Sequence, residues 1–162
     1  MKNIINAVAV GAFPYVPIVL LMCGVALEVT FLGMGGMFLI ALVACILNMV
    51  FALKDKASAE KMALIGMLVK LIHIPAYILF FMIGAGGIMM IQFLAISIFI
   101  FLFDCITIAF SGALELAAVL RARSEGKLKN GEALVCAVCS FVFCVDLVAA
   151  IGVYLCVRKR GC

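Results

Sequence analysis

Apolar residues fall along this chain in five long blocks, separated by short polar or glycine-rich links. The blocks are Ile4–Leu27, Phe31–Leu53, Met62–Ile83, Ile88–Leu120 and Ala133–Val157, of 24, 23, 22, 33 and 25 residues. A helix needs about 20 apolar residues to cross the hydrocarbon core, so each block is long enough to span once. In lipid the backbone must satisfy its own hydrogen bonds, which leaves helices or a closed barrel. Barrel strands alternate apolar and polar side chains, and Phe93–Phe103 does not alternate. The pattern predicts an all-α integral membrane protein: a compact bundle of five transmembrane helices with short loops, with residues 1–162 as one domain. Four spans plus one re-entrant segment is the alternative.

The links carry their own signals. Glu28 to Gly36, with Gly33, Gly35 and Gly36, reads as a tight turn, and so does Gly84–Gly87. Lys54–Lys61 is a polar link in which Ser58 is placed to cap the third helix. Arg121–Glu132 is the longest hydrophilic stretch, broken by Ser124, Gly126 and Gly131. Met1-Lys2 precedes an apolar block too long for a signal peptide, so a retained first span is expected.

Loop charge sets the orientation. With the amino terminus in the cytoplasm, Lys2, Lys54, Lys56, Lys61, Arg121, Arg123, Lys127 and Lys129 lie inside. Five crossings then leave Arg158, Lys159 and Arg160 outside, against the rule, and a re-entrant first or last block would remove the conflict. The expected location is a bacterial plasma membrane with a cytoplasmic amino terminus.

Composition narrows the field. Of 162 residues 69% are apolar and 12% charged, with mean hydropathy +1.42, which excludes a soluble enzyme, a nucleic-acid binder and a disordered chain. The net charge of +4 belongs to the loops, so no nucleic acid is expected as partner. Seven of the eight cysteines lie in apolar blocks, where they pack as small hydrophobes. Cys136-Ala-Val-Cys139 is the one C-x-x-C, and with a single histidine in the chain no zinc set is complete. No cofactor or metal is expected. Expected partners are membrane lipid and a small-molecule ligand, with a second copy or a membrane partner protein as further candidates.

Five ionisable residues interrupt the blocks: Lys70, His73, Asp104, Glu115 and Asp146. Asn48, Tyr77, Gln92, Ser97, Thr107 and Ser111 supplement them. On a helical wheel Lys70, His73 and Tyr77 fall within about 60° of one another, and Ser97, Ser111 and Glu115 within about 20° of Asp104. The helical rise sorts them by depth. Lys70, Glu115 and Asn48 form an inner cytoplasmic layer, and His73, Tyr77, Asp104 and Asp146 lie near mid-membrane. Charge inside a bilayer is costly and marks pathways or pairs. His73 is expected to meet Asp104 across one helix interface, and Pro75 to bend the helix beside it.

The function expected from this stripe is binding or transport of a small polar or amphiphilic solute, with proton coupling. His73 would be the titratable centre, Asp104 and Asp146 counter-charges, and Lys70 with Glu115 a cytoplasmic gate. A structural or accessory subunit, with its ionisable residues paired within the bundle or with a partner's helices, is the second reading. A membrane enzyme acting on lipid or quinone is the third, although no nucleotide, hydrolase or metalloprotease motif supports one. A transporter predicts a water-reachable His73, a subunit a dry and paired one, and an enzyme a lateral opening beside it.

Overall fold

The computed structural model describes residues 2–54, 58–88, 94–142 and 145–160. Lys56, residues 89–93 with Gln92 among them, and Cys144 lie outside the described residues. Among the described residues seven helices follow in order: α1 Lys2–Ala12, α2 Tyr15–Met22, α3 Leu27–Lys54, α4 Ala59–Ile88, α5 Leu94–Ser124, α6 Asn130–Cys139 and α7 Val145–Lys159. Three of them hold stretches long and apolar enough to cross a membrane: Glu28–Ala52, Ala59–Gly87 and Ser97–Ser124. Among the described residues there is no strand. The chain is a helical membrane protein.

The reversals sit elsewhere than the glycine runs suggest. Gly33, Gly35 and Gly36 are inside α3, and Gly84–Gly87 inside α4. Glycine is at home in membrane helices because it lets neighbours approach. At Gly33 a Cβ would stand 2.8 Å from Leu20 of α2. The chain turns instead at Gly24, whose φ of 69° suits only a residue without a side-chain penalty there. α5 closes in the same way at Gly126, φ 72°. There Lys127 N–H bonds the Ala122 carbonyl at 2.9 Å and Gly126 N–H that of Arg123 at 3.0 Å, which satisfies two terminal carbonyls.

The first block is a helix in two pieces. Pro14 lacks an N–H and breaks it between α1 and α2. The two pieces run antiparallel along α3, with Val10 and Phe13 packed in one core with Ala41, Ala44 and Cys45. Phe13 stacks on Phe103 and meets Phe110 edge-on, so α5 closes the other side of this core.

The last block turns back on itself, which corrects the expectation of a fifth straight helix. Arg160, just past α7, donates to both Glu132 carboxylate oxygens at 2.7 and 3.0 Å and to the Lys127 carbonyl at 2.8 Å. One straight helix of this length would hold its ends about 37 Å apart. α6 and α7 are therefore the arms of a helical hairpin that begins to turn at Ser140–Val142. α6 ends as its bonds tighten to the i−3 pattern, Phe141 N–H to Val138 and Val142 N–H to Cys139, while the Ser140 hydroxyl bonds back to Cys136.

A second core holds the polar end of the bundle together. Ala52, Ala59, Ala63, Ala117, Ala118 and Ala122 bring α3, α4 and α5 close, and Val153 and Val157 add the hairpin. Along α5, Ala117 is buried, Ala113 half-buried and Ala109 exposed. The six described cysteines are free thiols, Cys136 and Cys139 among them.

Candidate functional site

Lys70 projects from the middle of α4 into the tip of the α6–α7 hairpin. Its side chain is 1% exposed. The ammonium donates to the Asp146 carbonyl at 3.1 Å and the Ser140 carbonyl at 3.4 Å, and lies 3.8 Å from the Asp146 carboxylate. The Ser140 carbonyl is open because α6 ends there, whereas the Asp146 carbonyl lies in the first turn of α7 and takes Lys70 on a second lone pair. Ser140 caps α6, where terminal C=O groups lack intrahelical partners and the helix dipole is negative. Asp146 opens α7, and its Oδ1 accepts the Leu147 N–H at 2.7 Å at the positive end of that helix. A cation thus sits between the negative end of one short helix and the carboxylate that starts the next. Broken helices at membrane depth hold ions in this way in many transport folds.

Glu115 approaches the same cluster from α5. It is wholly buried, and its charge acts on Lys70 and Asp146. Neither of its oxygens has a hydrogen-bond partner. Gly66 of α4 makes room for it, since a Cβ there would stand 2.8 Å from Oε2. On the next turn Gly112 does the same for the hairpin tip: a Cβ would meet the Phe141 ring and the Ser140 carbonyl, each at 2.8 Å.

A groove of about 500 Å³ opens between α4 and α7 beside this cluster. Ile74, Ile78, Phe81 and Leu147 wall it, and Lys70, Asp146 and Tyr77 form its polar end. Tyr77 also faces Ser111 of α5. The Ser111 hydroxyl bonds the Ile108 carbonyl of its own helix at 3.1 Å, and Thr107 likewise bonds Phe103 at 2.9 Å.

His73 is placed differently from the sequence expectation. It is fully enclosed, and its Nε2 lies 3.2 Å from the Val10 carbonyl of α1. A carbonyl only accepts, so Nε2 carries the proton. Val10 is the residue whose carbonyl Pro14 would have bonded had it an N–H; Phe13 N–H takes it at 3.2 Å, and His73 adds a second donor. In return the Tyr15 hydroxyl of α2 donates to the Ile72 carbonyl in α4, one turn before Pro75. The two proline-disturbed segments are cross-bonded. His73 does not bond Asp104: its Nδ1 has no partner, and neither does Asp104 Oδ1.

The structure therefore brings Lys70, Asp146 and Glu115 into one cluster, with Tyr77 at its groove and Ser111 behind. It separates His73 from Asp104, and Asp104 is half-buried outside the cluster. The layering by depth fails for Lys70 and Asp146, because the hairpin brings Asp146 to the level of Lys70. Sequence reasoning missed the Ser140 carbonyl, Gly66, Gly112 and Tyr15. The prolines at 14 and 75 were the one local signal of backbone acceptors needing donors. No family model, curated protein or solved structure matches this chain.

Proposed function

We propose that this protein is a bacterial plasma-membrane bundle that binds a small amphiphilic solute in the α4–α7 groove. The solute's polar end lies against Asp146 and Tyr77, and its apolar part runs along Ile74, Ile78, Phe81 and Leu147. Asp146 Oδ2 has no hydrogen bond, so the head that fits is one that donates, a hydroxyl or an amine. The observation that carries the reading is the junction of an apolar, laterally placed groove with a buried ionic cluster. Binding sites have this make-up, mostly apolar with a few placed polar groups.

The orientation proposed with it has four crossings, α1–α2 together, α3, α4 and α5, and a hairpin α6–α7 entering from the cytoplasmic side. Arg160 beside Lys127 and Glu132 supports it. Arg158, Lys159 and Arg160 then join Lys54, Lys61, Arg121, Arg123, Lys127 and Lys129 on one side. The charge conflict of the five-crossing arrangement disappears.

The test is thermal unfolding of the detergent-solubilised protein against single-chain alcohols, amines, carboxylates and phosphates. A ligand that binds only the folded state raises the midpoint. An alcohol or amine should raise it for the natural protein and leave Leu147→Trp, which fills the groove, unmoved. Equal response in Leu147→Trp, or no response to any class, defeats the reading. A structural subunit is the second reading, favoured by the enclosure of His73 and its bond to α1. It predicts that Leu147→Trp changes nothing.

A further inference from the structure

The cluster at the hairpin tip does not balance in charge. Lys70 brings one positive charge, and Asp146 and Glu115 bring two negative ones, with all three residues at most 3% exposed. An ammonium has three donors. Lys70 donates to the Ser140 and Asp146 carbonyls, its carboxylate contact is Asp146 at 3.8 Å, and no hydrogen bond reaches Glu115. Glu115 is left with two unbonded oxygens in an enclosed space. The ionisable groups that act on it are Lys70 from α4, Asp146 from α7 and Cys136 from α6. A buried carboxylate with neither a hydrogen bond nor a counter-ion of its own takes up a proton instead of staying charged.

We propose that Glu115 is a proton-binding site, and that the proton it holds is exchanged for a cationic amphiphile bound in the groove. The first half stands on the cluster alone, and the second rests on the solute reading above. An ammonium head placed on Asp146 Oδ2 brings the positive charge that the cluster lacks. The Glu115 O–H bond then breaks, its electron pair stays on the carboxylate, and the proton leaves to water. One amphiphile enters and one proton departs, so the enclosed charge is zero before and after. A neutral alcohol fills the same groove without releasing a proton.

Two measurements separate the halves. Infrared spectroscopy of the natural protein at neutral pH should show the C=O stretch of a buried protonated carboxyl. The band should vanish in Glu115→Gln and persist in Asp104→Asn. Glutamate-specific carbon-13 labelling of the natural chain should move it, which reads the site even if Glu115→Gln does not fold. Absence of the band, or its movement on aspartate labelling instead, overturns the proton site. Calorimetry with dodecylammonium, repeated in buffers of different ionisation enthalpy, should then count one proton released per molecule bound. Dodecanol should release none, and Glu115→Gln should bind dodecylammonium without release. Release that persists in Glu115→Gln overturns the exchange. Failure of dodecylammonium to bind while dodecanol binds overturns the exchange alone, and failure of both overturns the solute reading with it, while the infrared result still stands for the proton.

Discussion

Lys70 and His73 lie one turn apart on α4 and both reach backbone carbonyls beside a broken helix. Lys70 is held at Ser140 and Asp146, His73 at Val10. The two contacts differ in what their loss exposes. Lys70→Met leaves the buried Asp146 carboxylate without its cation, and breaking a buried pair from one side costs about 3–5 kcal/mol. The double change Lys70→Met with Asp146→Leu should recover much of that loss, read as the unfolding free energy in a mixed-micelle denaturation series. His73→Phe removes a neutral hydrogen bond worth about 0.5–1.5 kcal/mol. It should cost less in a Pro14→Ala background, where residue 14 regains an N–H for the Val10 carbonyl. Equal cost in both backgrounds would mean that His73 does not stand in for the proline. The sequence marks both residues as polar in an apolar block, and that much was legible. Their partners were not, because a carbonyl belongs to every residue and packing decides which one a side chain reaches.

At the scale of elements, the α6–α7 hairpin is the part that sequence reasoning read least well. Residues 133–151 contain no glycine or proline, so by length and apolarity they extend a single helix. The break is imposed from outside, by Lys70 of α4 drawing in two carbonyls and by Gly112 of α5 making room for Phe141. Three of the other four blocks were legible as long helices because their periodicity and length meet no such demand from a neighbour. Gly112→Val should therefore push the tip outward, at about 1–3 kcal/mol for overpacking, and speed amide exchange over 136–142. The open end of the hairpin has a latch of another kind. Arg160, helped by the Lys129 N–H, holds the Glu132 carboxyl down from 4.5 to about 2. A carboxyl lowered on folding contributes its hold fully above its unfolded value and loses it as pH falls through the folded one. Spin labels at 131 and 159 should keep their separation from neutral pH to below 4, and move apart as pH approaches 2. Arg160→Gln should part them at neutral pH.

At the scale of the whole molecule, cationic side chains gather at one end of the bundle, where Glu125 also ties α5 to the first N–H of α4 at 3.0 Å. An impermeant thiol reagent, applied to cysteine-free protein with single cysteines restored, should reach residue 25 from outside. Residues 127 and 159 should react only from the cytoplasm. Labelling of 159 from outside would restore five crossings and defeat the hairpin's entry from the cytoplasm. The hairpin also orders events during synthesis. A chain emerging from the ribosome completes α4 long before residues 140–146 exist, so Lys70 waits in the bilayer with Glu115 as its sole carboxylate. Only when the last helix folds back do its remaining oxygens arrive. A chain cut after Lys129 would hold the ammonium without them, and should be cleared from the membrane faster than the 162-residue chain, read by pulse-chase labelling. Residues 130–160 thus bring the oxygens that settle Lys70, and in the orientation proposed above Arg158, Lys159 and Arg160 stay on the side where they are made.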